Sequence, residues 1–307
     1  MWTEPAGDSS AHSVQFLTVE NDVKLEVLDW GGTGRSMVLL AGLGNNAHVF
    51  DKFAPKLITG YHVYGITRRG FGASSAPAPV NDNYAADRLG DDVLAVIDAL
   101  KINKPILIGH SIAGEELSSI GSRYPDKVAG LIYLDAGYTY AFYDPARGDF
   151  GIDLNSLRKQ LESLNSGRPI REVKETLREL LQTSLPQFEK DLLKLQKSMQ
   201  GTSDSTPLPP ETPQMQLTRA MIGGMQKYTD IKCPVLAIYA LPPDPGTAGS
   251  TDAADVRAEK LAQANAFEAG IPSAHVVRLA KADHDVFRSN EADVLREINA
   301  FVAKLPQ

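Results

Sequence analysis

A chain of 307 residues can bury one large core, or a core that carries an inserted subdomain, and its 43% hydrophobic and 22% charged content is ordinary for a globular protein. A formal net charge of −7 without any block of lysines or arginines argues against nucleic acid and anionic membrane surfaces as partners. The single cysteine, Cys233, excludes an internal disulfide and a cysteine-built metal cage, and no apolar stretch approaches membrane-spanning length. Because Met1-Trp2-Thr3-Glu4-Pro5 lacks the apolar core of a signal peptide, a soluble chain is expected, either cytoplasmic or exported after loss of a leader. Nothing in the composition sets the oligomeric state.

In chain order, Val14–Glu20 and Val23–Trp30 read as strands joined at Asn21-Asp22 in a hairpin. Met37–Ala41 and Tyr61–Thr67 follow as near-continuous apolar strands. A helix comes next, with Ala86, Leu89, Val93, Val96, Ile97 and Leu100 on one face. Pro105–Gly109 and Val128–Leu134 are again apolar strands, and this alternation predicts a mostly parallel sheet covered by helices. Residues 138–229 break the rhythm with leucine-striped helical runs and a Ser/Thr/Pro-rich connector at Gly201–Pro213. Most of those stripes read as helical core. Their place after the sixth strand makes residues 138–229 an expected helical cap over the carboxyl edge of the sheet, where open α/β sheets bind ligands. The core then comprises 1–137 and 230–307, completed by strands Pro234–Ala240 and Ala274–Leu279 and a last helix bearing Val294, Leu295, Ile298, Phe301 and Val302.

The chemistry centres on Ile108-Gly109-His110-Ser111-Ile112-Ala113-Gly114, which follows an apolar strand and precedes a helical run. A serine between small residues at a strand-to-helix turn is a nucleophile elbow: the tight turn requires Gly109 and Ala113 to be small and leaves the Ser111 hydroxyl exposed at a helix N-terminus. A serine hydroxyl needs a neighbouring base. Of six histidines, His12 lies in a polar arm, His62 and His275 sit at strand starts, and His110 is the variable residue of the elbow. His284 lies in a loop after the last strand, at the same sheet edge as Ser111, and is the expected base. Backbone donors for an oxyanion are expected from the N–H of Ile112 and, in the loop Leu40-Ala41-Gly42-Leu43-Gly44-Asn45-Asn46, from the N–H of Leu43. Gly42 allows the sharp path of that loop and borders the substrate. Tyr138, with Tyr140, Phe142 and Tyr143 close behind it, is expected to line the substrate pocket.

Together these segments resemble the α/β-hydrolase fold, and specifically a capped serine hydrolase of the carboxylesterase type. The resemblance covers nearly the whole chain and implies an eight-stranded, mostly parallel sheet. Arg68-Arg69-Gly70-Phe71-Gly72-Ala73-Ser74 is similar to the family's Asp-x-Arg-Gly-x-Gly-x-Ser segment, with Thr67 where the aspartate is usual. Ala41-Gly42-Leu43 resembles its His-Gly-x oxyanion segment, with Ala41 in place of the histidine, and Ala113 stands where a second elbow glycine is commonest. Two aspartates qualify as the acid that holds the histidine tautomer. The usual family place, the loop after the seventh strand, contains Asp244. The end of the sixth strand contains Asp135, in a Tyr133-Leu134-Asp135-Ala136 segment similar to that of haloalkane dehalogenases with the acid there. Asp135 is preferred, because a carboxylate directly after an apolar strand is buried and pairs more strongly with imidazolium.

The expected function is hydrolysis of small-molecule carboxylic esters through an acyl-serine, with no cofactor or metal. Lactonase, amidase and carbon–carbon bond hydrolase activities share the same triad, and a hydrolase-like receptor with little turnover is the alternative outside the enzymes. Serine at the nucleophile position argues against dehalogenase and epoxide hydrolase chemistry, which in this fold resembles attack by an aspartate. No Gly-x-Gly-x-x-Gly follows the first strand, and the histidines and acids lack zinc-like spacing.

Overall fold

The computed structural model describes residues 12–80, 82–165, 167–199, 210–243 and 251–306. Eight strands, β1 (Ser13–Glu20), β2 (Val23–Gly31), β3 (Arg35–Leu40), β4 (Tyr61–Ile66), β5 (Ile106–His110), β6 (Gly130–Leu134), β7 (Val235–Leu241) and β8 (Ala274–Ala280), form one sheet in the order β1-β2-β4-β3-β5-β6-β7-β8. β2 is antiparallel to both its neighbours, β1 and β4, and every pair from β4 through β8 is parallel. The helices are α1 (Ala54–Leu57), α2 (Ala86–Ala99), α3 (Gly114–Arg123), α4 (Phe150–Leu164), α5 (Ile170–Glu179), α6 (Leu185–Ser198), α7 (Pro213–Gly223), α8 (Thr251–Gly270), α9 (Val286–Ser289) and α10 (Glu291–Val302).

β5, β6 and β7 are buried at every position because both faces of the sheet are covered. Alternate residues of β3 point to opposite sides: Val38 and Leu40 pack with Val93, Ile97, Leu117 and Phe267, whereas Met37 and Leu39 pack with Val294, Ile298 and Phe301. Two separate cores result, one under α2, α3 and α8 and one under α10. The sixth strand starts at Gly130 rather than Val128, because Pro125–Lys127 forms a 3-10 turn immediately before it.

Helices α4 to α7 lie between β6 and β7 in the chain, as the leucine stripes predict, but those stripes are not core. Leu157 and Leu180 are buried, whereas Leu161, Leu177, Leu181, Leu185, Leu192 and Leu195 are exposed. The buried positions of this region include polar groups instead: Asp153 and Asn155 on α4, and Asp191 on α6. Asp153 accepts from the Tyr143 hydroxyl at 2.8 Å and from the Asp149 N–H at 3.0 Å, and pairs with Lys227. Asp191 accepts from Gln187 at 3.1 Å, with Lys194 3.9 Å away. Burial, then the neighbouring Asp153, pushes the Asp191 carboxyl up to about 6.

That pair gives a signed pH dependence. An acid that binds its proton more tightly when folded destabilises the fold once it ionises, so stability should decline as pH rises from about 4 to about 6 and then level off. Asp191→Asn should flatten that decline and raise the thermal midpoint above pH 6. An unchanged slope in the variant would show that Asp191 does not titrate in this range.

Candidate active site

Three strand ends converge at the carboxyl edge of the sheet. Ser111, directly after β5, has φ +53°, and Asp135, directly after β6, has φ +44°. Left-handed backbone is uncommon outside glycine, and at both positions it swings the side chain out of the strand direction. The Ser111 turn closes because its neighbours are small: a Cβ on Gly109 would lie 3.0 Å from Leu117 and 3.1 Å from Ala113.

His284 enters from the loop between β8 and α9. Its Nε2 is 2.9 Å from Ser111 Oγ, and its Nδ1 is 2.7 Å from Asp135 Oδ2. With Nδ1–H donated to the carboxylate, Nε2 is the acceptor for the serine hydroxyl. Asp135 is fully buried and also accepts the Ala240 N–H at 2.9 Å and the Lys260 ammonium at 3.1 Å, with Tyr138 beside it. Burial alone would raise its pKa. The hydrogen bond to His284, the Lys260 charge, Tyr138 and the Ala240 N–H outweigh that effect and leave the carboxyl below its ordinary range. The structure therefore brings Ser111, His284 and Asp135 into one hydrogen-bonded chain. Asp244 lies outside the described residues.

Gly42 sits against the serine: a Cβ there would come within 3.1 Å of Ser111 Cβ and 2.8 Å of His110 Nδ1. Leu43, next in the chain, and Ile112, next after Ser111, thus flank the hydroxyl from two loops. Arg68 joins those loops, giving one hydrogen bond to the Ala41 carbonyl at 3.0 Å and two to Glu116 of α3 at 2.6 and 2.7 Å. Thr67, where the resembled family has an aspartate, accepts the Ala47 N–H at 3.0 Å and donates to Glu26 at 2.6 Å.

Four further side chains surround this hydrogen-bond chain, and two of them, Lys260 and His110, carried no sequence signal for such a place. Lys260, on α8, reaches Asp135 from far along the chain. Tyr140 lies beside Ser111, and Tyr138, also expected at a substrate pocket, lies beside Asp135 with its ring under Lys260. His110 is buried beneath His284, its Nε2 donating to the His284 carbonyl at 3.1 Å. Burial, then the nearby His284, lowers the His110 pKa to about 4, so it stays neutral at physiological pH. The alternating buried strand explains its position: β5 residues Ile108 and His110 share the face opposite Leu107. Among the described residues, the donors close enough to share one metal ion are His12, His48 and Asp51, outside this hydrogen-bond chain.

Residues 35–290 match the family model described as the alpha/beta hydrolase fold, and the chain belongs to that family. It is therefore a member of a hydrolase superfamily. A fluoroacetate dehalogenase from Burkholderia sp. is 32% identical over 116 residues, 37% of this chain and 38% of that protein. A 2-(acetamidomethylene)succinate hydrolase from Mesorhizobium japonicum is 28% identical over 34% of this chain and 36% of that protein. The matches thus span little more than a third of these curated relatives. Among solved structures, E-2-(acetamidomethylene)succinate hydrolase superposes with a TM-score of 0.59 at 20% identity, over 95% of this chain and 99% of that one. A thermophilic esterase from Thermogutta terrifontis gives 0.56 at 19% identity, over 92% and 94%. Among the described residues, no helix is long and apolar enough to cross a membrane.

The Lys260–Asp135 contact is testable by itself. A hydrogen bond to a charged group contributes about 1.5–3 kcal/mol, so Lys260→Met should lower the urea-derived stability by that order. Most of the loss should vanish in an Asp135→Asn background, giving a coupling energy in the double-mutant cycle. Strictly additive losses would mean that the ammonium does not act through the carboxylate.

Proposed function

We propose that this protein is a serine hydrolase that cleaves carboxylic esters of small molecules through an acyl-serine intermediate. The observation that carries the reading is the unbroken chain from Ser111 through His284 to Asp135, with contacts of 2.9 and 2.7 Å. His284 Nε2 takes the proton as Ser111 Oγ attacks the carbonyl carbon, and the Asp135 carboxylate stabilises the imidazolium that forms. The N–H groups of Leu43 and Ile112 receive the oxyanion, an interaction for which each donor is typically worth about 10²–10³ in turnover. His284 then returns the proton to the leaving alcohol, and water attacks the acyl-serine by the same route. Serine at position 111 argues against the dehalogenase and epoxide hydrolase chemistries named among the relatives.

We also read residues 138–229 as a cap over this site. Two contacts support that: Tyr138 and Tyr140, at the start of the segment, reach Asp135 and Ser111, and Met221 and Leu217 of α7 pack with Ile112, Phe71 and Tyr84.

Purified protein should hydrolyse a short-chain aryl ester catalytically. Ser111→Ala should lose activity by about 10³-fold or more while staying folded, and a serine-directed phosphonate should add one adduct at Ser111. Undiminished turnover in the alanine variant, or an adduct elsewhere, would end the assignment. A stoichiometric burst without turnover would instead favour a ligand-binding protein.

A further inference from the structure

Behind the loop that carries Gly42 and Leu43, two imidazoles and two carboxylates meet. His12 immediately precedes β1, Glu26 lies on β2, His48 lies in the 3-10 turn Ala47–Phe50, and Asp51 caps that turn. Donor atoms of His12, His48 and Asp51 all fall within 4.8 Å of one another. Asp51 Oδ1 is 3.6 Å from His12 Nδ1, and Asp51 Oδ2 is 3.1 Å from His48 Nδ1. An ion held tetrahedrally by nitrogen and oxygen at about 2.0–2.1 Å places its ligand atoms about 3.3–3.4 Å apart. The two measured separations lie on either side of that value, each to a different oxygen of Asp51, so the carboxylate straddles the space between the two rings and would turn one oxygen onto the ion.

Two further observations fit a cation better than a plain ion-pair cluster. Asp51 Oδ1 is buried and has no hydrogen-bond donor among the described residues, an arrangement that leaves a carboxylate oxygen undercompensated. On the far side of His48, Nε2 faces Glu26 Oε1 at 3.6 Å, and Glu26 is itself fixed by the Thr67 hydroxyl at 2.6 Å. A metal-bound imidazole commonly gives its second ring N–H to a carboxylate anchored in this way.

We propose that His12, His48 and Asp51 bind a divalent transition cation of the zinc class, with Glu26 orienting His48 from behind. Imidazole and carboxylate donors suit such an ion. The ion would tie the start of β1 to the turn that continues the Gly42–Asn46 loop. Asn46 caps that turn by accepting the His48 N–H at 3.2 Å, so a clamp at His48 and Asp51 would hold the loop that presents Leu43. His12 and His48 are separated in the chain by the whole β1–β2 hairpin and β3, which is why no short ligand motif shows in the sequence.

The test uses the full chain, stripped with a chelator and then titrated with zinc by calorimetry. Cobalt(II) absorption in the visible serves as a second reading of tetrahedral N/O coordination. The wild type should take up one equivalent of zinc and gain thermal stability from it. His12→Ala, at the edge of the fold, and Asp51→Asn should abolish stoichiometric uptake, with circular dichroism confirming that both remain folded. Glu26→Gln should weaken binding by about 10–100-fold, as removal of such a supporting carboxylate commonly does. Absence of stoichiometric uptake by folded wild type, or uptake undiminished in both His12→Ala and Asp51→Asn, would overturn the proposal. Zinc uptake is read without substrate, so its outcome is separate from that of the ester-hydrolase reading.

Discussion

The architecture depends on one backbone constraint: a serine held in left-handed conformation at the end of a strand buried on both faces. That turn ends β5, starts the helical run and points Ser111 away from the sheet. It works only where small side chains surround it, so Gly109 and Ala113 are as necessary to the position of the hydroxyl as the serine is to any chemistry. Asp135 repeats the device one strand over, with its own left-handed φ and its N–H donated to the Ile238 carbonyl at 2.7 Å. Neighbouring parallel strands ending in the same kind of turn place Ser111 and Asp135 at one edge, and the loop after β8 needs only to drop His284 between them.

Around that constraint the polar groups are buried and paired. Arg68 and Glu116 form a buried bidentate pair that also grips the Ala41 carbonyl, which fixes the Gly42 loop relative to the helix that begins beside Ser111. Buried ion pairs add little net stability when compared with apolar packing. Here the benefit is positional, because the two loops flanking the hydroxyl are held at a set distance. Asp135 is treated similarly: Lys260 and the Ala240 N–H also hold the carboxylate and favour its ionised form, so its geometry does not rest on His284 alone. His110, neutral beneath the His284 ring, supports that ring without adding a competing positive charge.

How much of this was readable in the sequence follows from how local each signal is. The strands were legible because burial on both faces writes an unbroken apolar run, and Ser111 because the elbow compresses its requirements into a few adjacent residues. His284 followed from chain order, since a loop after the last parallel strand opens at the same edge. Asp135 was distinguishable from Asp244 by its place at the end of an apolar strand and by the resemblance of the Tyr133–Ala136 segment to haloalkane dehalogenases. Lys260 and His110 were invisible as contributors, because each acts through a partner distant in the chain and no periodicity records that. The leucine stripes of α5 and α6 misled for a physical reason: helical periodicity defines an apolar face but does not say that anything packs on it, and here most of that face meets solvent. The matched relatives carry activities as different as dehalogenation and 2-(acetamidomethylene)succinate hydrolysis in their names, so chemistry must be argued from the site itself.

The central claim is that Asp135 acts as the acid behind His284, and the most direct measurement is turnover of an aryl ester by Asp135→Asn beside Asp244→Asn. Replacing the carboxylate by an amide keeps the shape of the site but removes the charge that stabilises the imidazolium and the acceptor that fixes its tautomer. The account predicts a loss of about 10³–10⁴ in turnover at Asp135→Asn, the scale known for an acid-to-amide change in a serine triad, with Asp244→Asn within about tenfold of wild type, the effect of one lost hydrogen bond. A collapse at Asp244→Asn with Asp135→Asn near wild type would contradict it.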